Sequence, residues 1–154
     1  MIAFITNPDE KARIASEILA DLPEWFGIPE STANYVAESR SMPFWATVRS
    51  GKPTGFIALK ETAPRTAEIF VMGVRKERHR RGDGTLLWEA FRDFAQACGY
   101  EYAQVKTVRR GCYETYDRTN DFYEHIGFRA LECFPTLWDE RNPCQIYVQY
   151  IAGH

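Results

Sequence analysis

The chain has 154 residues, 45% hydrophobic and 14% aromatic, which is enough apolar side chain for one folded domain over residues 1–154. Charged residues make up 26% and the net charge is −2, which excludes a surface built as a whole for nucleic acid. No apolar run approaches the about 18 residues that span a bilayer. Met1 leads into IAFITNPDE, which lacks the basic start and long apolar stretch of a secretory signal, so a cytoplasmic location and no membrane partner are expected. The four cysteines, Cys98, Cys112, Cys133 and Cys144, form no C-x-x-C pair, and His79, His125 and His154 are scattered. Reduced thiols and no metal are the expectation.

In chain order, residues 2–6 read as an edge strand. Asn7 and Pro8 open a helix in which Ala12, Ile14, Ala15, Ile18 and Leu19 share one face, and Pro23 stops it. Residues 30–40 read as a second short helix with Ser31 as its cap. PFWATVRSGKPTGFIALKET is a hairpin turning at Ser50-Gly51-Lys52-Pro53, and a third strand follows near residues 66–74. RKERHRRGDG then leads into the clearest helix. Leu86, Leu87, Ala90, Phe91, Phe94 and Ala95 fall on one face, Glu89, Arg92, Asp93 and Gln96 on the other, and Gly99 lies just past the end. EYAQVKTV is a strand, RRGCYETYDR a loop and TNDFYEHIG a short helix closing on Gly127. FRALECF and CQIYVQYI are the last strands. The order β-α-α-β-β-β-α-β-α-β-β predicts an α/β (α+β) fold: a mixed sheet of six or seven strands flanked by about four helices.

The segment HRRGDGTLL, residues 79–87, carries the strongest chemical signal. A strand, a glycine turn and a helix start together make an anion site, because the first N–H groups of the helix point at the ligand and the macrodipole adds positive charge. Arg75, Lys76, Arg78, Arg80 and Arg81 crowd this turn. A pyrophosphate suits it. The Walker pattern fails because no G-K-[ST] follows, and the dinucleotide pattern fails because Leu87 stands where its third glycine would be. A solvated basic loop with a glycine hinge accounts for the turn equally well when the turn is taken alone.

The downstream chain adds a second motif. The turn resembles the R/Q-x-x-G-x-G/A motif of the GNAT superfamily of N-acetyltransferases, with His79, Arg80, Arg81, Gly82, Asp83 and Gly84 in the six positions and Val74 in the place of the family's strand-ending valine. Phe122-Tyr123-Glu124-His125-Ile126-Gly127-Phe128 resembles its (L/F)-Y-x-x-x-G-F signature. The resemblance covers about residues 44–150 and implies the GNAT acyl-CoA N-acyltransferase fold, with acetyl-CoA (coenzyme A) as acyl donor. It implies a pyrophosphate cradle of His79, Arg80, Arg81, Gly82, Asp83, Gly84 and Thr85. Two positions depart from the pattern. His79 replaces Arg or Gln, so cofactor affinity is expected to fall as pH rises through the histidine range. Asp83, between the glycines, avoids a clash with phosphate if its side chain points outward. Downstream, Tyr116 and Thr119 stand where many relatives have asparagine and alanine, so the resemblance does not carry over that asparagine's hydrogen bond to the pantetheine arm.

Acetyl transfer to an amine requires deprotonation of the amine, stabilisation of the carbonyl oxygen and protonation of the leaving thiolate. Tyr123 is the candidate acid. Phe122 and Ile126, spaced i, i+4, are expected to face the core, which turns Tyr123 toward a cleft. Glu68 is the candidate base; it is expected to alternate with Phe70 and Met72 on one strand face among apolar neighbours, and an exposed strand glutamate is the competing description. The backbone of Met72, Gly73 and Val74 is the expected contact for the carbonyl and pantetheine, with Gly73 permitting close approach. Trp25, Phe26 and Tyr35 are the expected walls of the acceptor pocket, and Glu24, Glu30 and Glu38 are candidates for attracting a cationic amine. The expected activity is transfer of acetyl from acetyl-CoA to a primary amine, small-molecule or peptide, by direct attack in a ternary complex. No nucleic acid is expected as a partner, and a homodimer is compatible with the sequence. The competing readings are a different acyl donor and a non-catalytic acyl-CoA-binding module.

Overall fold

The computed structural model describes residues 1–152, so His154 lies outside the described residues. Its elements are β1 (Ile2–Phe4), α1 (Pro8–Ala20), α2 (Pro29–Ser39), β2 (Phe44–Arg49), β3 (Lys52–Ala63), β4 (Thr66–Val74), α3 (Asp83–Ala97), β5 (Tyr102–Val108), α4 (Glu114–His125), β6 (Arg129–Asp139) and β7 (Asn142–Tyr150). A 3-10 turn, Lys76–Arg78, joins β4 to α3. The strands form a seven-stranded mixed sheet in the order β1-β2-β3-β4-β5-β7-β6. The expected element order and sheet size are met.

The chain divides into two compact units. The first comprises residues 1–60 and 69–95. Its α1 starts where the sequence indicates: the Asn7 side chain accepts from Glu10 N at 3.0 Å, Pro8 opens the first turn, and Asp9 and Glu10 meet the positive helix end. Ile14, Ala15, Ile18 and Leu19 are buried against Phe44, Ala46, Phe56, Ala58 and Val71. β2 is buried on both faces. Phe44 and Ala46 join the α1 cluster, while Trp45 packs against Phe94 at 5.1 Å and Phe91 at 6.2 Å on α3. The hairpin β2–β3 turns through Ser50 (φ 53°) and Gly51 (φ 74°).

Two boundaries in this unit differ from the sequence reading. α2 is capped by Ile28 with Pro29 in its first turn, and Ser31 lies inside the helix. Proline has no N–H to satisfy there and its φ is pre-set for a helix, so it starts α2 ahead of the serine. α3 begins at Asp83, within the segment RKERHRRGDG expected to precede it, and Leu86, expected on the apolar face, is 38% exposed, off the buried face of Leu87, Trp88, Phe91 and Ala95.

The second unit comprises residues 61–68 and the described chain from residue 96 onward. β5 and β7 pair antiparallel from Tyr102↔Tyr150 to Val108↔Cys144. β6 pairs with β7 through two register shifts and extends to Asp139, five residues past the expected strand end. α4 begins at Glu114, so half of the expected loop RRGCYETYDR is helical. Asp117, in its first turn, accepts from Gly111 N at 2.8 Å and fixes the entry of the helix. All four cysteines are free; burial pushes the Cys144 thiol up to about 11. No helix among the described residues is long and apolar enough to cross a membrane.

Gly73 shows how tightly α1 packs on β4. A side chain built there would meet Leu22 Cδ1 at 3.1 Å and Ile18 Cγ2 at 3.2 Å. Gly73→Val should therefore destabilise the protein by about 1–3 kcal/mol, read as a lower urea midpoint with an unchanged m-value.

Candidate active site

The basic turn is built from backbone geometry first. After the 3-10 turn, Arg80 (φ 63°) and Gly82 (φ 88°) both adopt left-handed conformations and reverse the chain into α3. Gly82 is not crowded, since a Cβ there would meet nothing within 4 Å; its φ is what a glycine tolerates best. His79 Nε2 lies 2.7 Å from the Val74 carbonyl oxygen, and a carbonyl only accepts, so the ring nitrogen donates. Trp25 meets the same imidazole edge-on, with ring centroids 5.7 Å apart. His79 thus closes the turn onto the end of β4.

Asp83 is fully buried, and its side chain turns into the protein instead of pointing outward as the sequence suggested. Its carboxylate accepts from Thr54 Oγ1 at 2.8 Å, Arg78 Nη2 at 2.9 Å and Arg49 Nη2 at 3.0 Å. Burial alone raises a carboxyl pKa. Here the bonds from Arg78, Arg49 and Thr54 outweigh that and hold it at about 2.

The basic residues around the turn divide by partner. Arg75 donates to Pro53 O at 2.8 Å and pairs with Glu17, Lys76 pairs with Glu24, and Arg78 pairs with Asp83. Arg80 and Arg81 are exposed and enter no ion pair among the described residues. Two uncompensated guanidiniums therefore stand beside the N-terminus of α3, whose first turn holds Gly84 and Thr85. This donor set fits a pyrophosphate.

Upstream on β4, Phe70 and Val71 both pack against the cluster of α1 and α2, and Gly73 turns its bare Cα toward Leu22 and Ile18. Phe70 and Met72 are both partly buried and alternate with the buried Val71 and Gly73. The Gly73 side-chain position is also occupied by α1 packing, which explains the glycine without a ligand. The three aromatic residues expected together all pack against the α1 cluster: Trp25 also lies on His79, Phe26 packs on Tyr35 at 5.9 Å and Tyr35 on Phe70 at 5.3 Å. Lys60 Nζ sits 5.3 Å from the centre of the Phe70 ring. Glu24 is paired with Lys76 and Glu38 accepts from Asn34, so of the three glutamates Glu30 alone makes no such contact among the described residues.

In the second unit, Glu68 is buried at 5% exposure, contrary to the exposed description. Its neighbours are not only apolar: Gln104 Nε2 donates to Oε1 at 3.2 Å and Lys106 Nζ lies 3.4 Å from the same oxygen. Tyr123 is buried at 8% exposure and packs on Phe128 and Tyr147, whereas Phe122 and Ile126 are half-exposed. The expected faces of α4 are thus exchanged. The buried stripe is Tyr123 with the polar Asn120 one turn before it. Asn120, which the sequence reading missed, donates to Val108 O at 2.9 Å and to Tyr116 O at 2.6 Å, and accepts from Tyr147 Oη. Burial raises the Tyr147 pKa, which keeps that phenol a donor. The available signal was Tyr116, Asn120 and Tyr123 at i, i+4 and i+7, a helical stripe that is not aliphatic.

A family model for the acetyltransferase (GNAT) family matches residues 12–128. The chain belongs to that family. It is an acetyltransferase by family and has the GNAT fold. Among solved structures, an aminoglycoside 6'-N-acetyltransferase complexed with coenzyme A superposes with a TM-score of 0.80 at 18% identity, covering 100% of this chain and 98% of that one. The aminoglycoside 6'-N-acetyltransferase from Enterococcus faecium gives 0.77 at 19% identity over 100% and 98%. An IAA acetyltransferase from Bacillus cereus gives 0.74 at 18% identity over 97% and 98%. At these identities the likeness is one of fold. A search of curated proteins returns no match.

The Asp83 cluster has a pH signature. The carboxyl falls from 3.8 to about 2 on folding, so its contribution is complete above the unfolded value and is lost as pH falls toward 2. Chemical denaturation of the wild type should lose about 2 kcal/mol over that window through this group. Asp83→Asn should lack that component and be less stable at pH 7 by about 2–4 kcal/mol, because Arg49 and Arg78 lose their shared counter-charge.

Proposed function

We propose that the protein transfers an acetyl group from acetyl-CoA to a primary amine by direct attack in a ternary complex. The observation that carries this reading is the pair Arg80 and Arg81, without an ion pair among the described residues beside the N-terminus of α3, in a GNAT chain whose Arg75, Lys76 and Arg78 are all engaged. A CoA-bound structural relative supports the same donor.

The backbone N–H groups of Gly82, Gly84 and Thr85, with the Arg80 and Arg81 side chains, hold the pyrophosphate. His79 shapes the turn, and Asp83 anchors the helix start from inside without touching phosphate. Bound acetyl-CoA supplies an acyl group activated as a thioester. Backbone N–H groups of Met72–Val74 donate to the carbonyl oxygen as it gains negative charge. The amine nitrogen bonds to the carbonyl carbon as the carbon–sulfur bond breaks. Glu68, oriented by Gln104 and Lys106, takes the amine proton through water, and the Tyr123 phenol donates its proton to the departing thiolate. Phe26 and Tyr35 wall the acceptor.

Acetyl-CoA should raise the melting temperature by mass action. Gly82→Glu should abolish that shift while Gly82→Ala reduces it less, and an unchanged shift in Gly82→Glu would remove the cradle. Arg80→Gln with Arg81→Gln should weaken acetyl-CoA binding by about tenfold or more, with a shallower salt dependence. Tyr123→Phe should lower kcat by about a hundredfold with cofactor binding within about twofold; equal turnover of the two proteins would take Tyr123 out of the mechanism.

A further inference from the structure

The acceptor side of the first unit carries a positive charge where the sequence suggested negative ones. Lys60 Nζ lies against the Phe70 ring, and Phe70 continues through Tyr35 to Phe26 as a chain of aromatic contacts at 5.3 and 5.9 Å. Lys60 is half-buried, and no carboxylate pairs with it among the described residues. A ring face compensates an ammonium only in part, so a lysine without a carboxylate partner keeps affinity for an anion. The candidate counter-charges do not serve it: Glu24 is held by Lys76, Glu38 bonds Asn34, and Glu30 forms no ion pair with Lys60 among the described residues. Phe70 precedes Met72 by two residues, about 7 Å along a strand. A carboxylate on Lys60 would then be within the length of a small molecule from the thioester contact at Met72–Val74, a step that rests on the function proposed above.

We infer that the acceptor is a small primary amine that also carries a carboxylate and an apolar or aromatic body, an amino-acid-like molecule. Lys60 pairs with the carboxylate, and Phe26, Tyr35 and Phe70 cover the body. A polycationic acceptor, such as the aminoglycosides named for two of the structural relatives, meets like charge at Lys60.

Matched amines test this: phenylalanine against phenethylamine, and lysine against cadaverine, with kanamycin as the polycation. Two readouts are taken on the protein with its cofactor. Thermal shift in saturating coenzyme A reports acceptor binding, and free thiol released from acetyl-CoA reports turnover. The carboxylate-bearing member of each pair should bind and turn over at least about tenfold better than its partner. Lys60→Met should raise KM for the carboxylate member by about tenfold with kcat within about twofold, and leave the decarboxylated member unchanged. Lys60→Arg should restore most of the preference, which a merely structural lysine would not require. Preference for cadaverine or kanamycin, equal use within the pairs, absence of binding by every carboxylate amine, or an unchanged ratio in Lys60→Met overturns the inference. Carboxylate-selective binding without thiol release leaves the inference standing and defeats acetyl transfer instead.

Discussion

The fully buried carboxylate of Asp83 is the constraint on which the first unit depends. A charge removed from water is tolerated only when its lone pairs are filled and its charge matched. Here the partners come from three places: Arg49 at the end of β2, Thr54 early in β3 and Arg78 in the 3-10 turn. One side chain at the first residue of α3 therefore ties the hairpin, the turn after β4 and the helix start together. The carboxylate also sits at the positive end of the helix, where a negative charge is favoured. Because both ends of the segment 79–82 are fixed in this way, its left-handed residues, Arg80 and Gly82, are held in one conformation.

The same network sorts the basic residues. In the sequence RKERHRR the arginines and lysine look alike, and a count assigns them one role. In the folded chain their role follows from which acid or carbonyl lies within reach. Arg75, Lys76 and Arg78 are spent on Pro53, Glu17, Glu24 and Asp83. Arg80 and Arg81 lie on the exposed side of the reversal, where no carboxylate of the described residues pairs with them, and their charge stays uncompensated. The histidine at the first motif position belongs to the structural group through Val74 O.

In the second unit a polar knot takes the place that aliphatic packing takes elsewhere. Asn120 is fully buried and makes bonds to Val108 O, Tyr116 O and Tyr147 Oη, so α4 is pinned to the end of β5 and to β7 by directional contacts. Those contacts set the rotation of the helix. Tyr123 goes inward beside Phe128 and Tyr147, and Phe122 is left half-exposed. Arg110 braces the outer face through Asp121 and Glu124.

Element order, the mixed sheet, the four helices and the family were legible in the sequence, because hydrophobic period, proline and glycine positions and the two spaced motifs are local properties of the chain. Asn7-Pro8 at α1 and Gly99 after α3 were legible for the same reason, since capping is decided within a turn. The rotation of α4 was not, because its buried stripe is polar and its partners lie on β5 and β7. The inward turn of Asp83 was not, because Arg49 and Thr54 are 34 and 29 residues away in sequence. The contact of Trp25 with His79, the lack of an ion pair for Lys60 among the described residues and the packing reason for Gly73 were equally hidden. Sequence by itself determined which elements form and which chemistry they carry. Tertiary structure decided which charges are neutralised and which stay uncompensated, because charge pairing depends on distance in space and not on spacing along the chain.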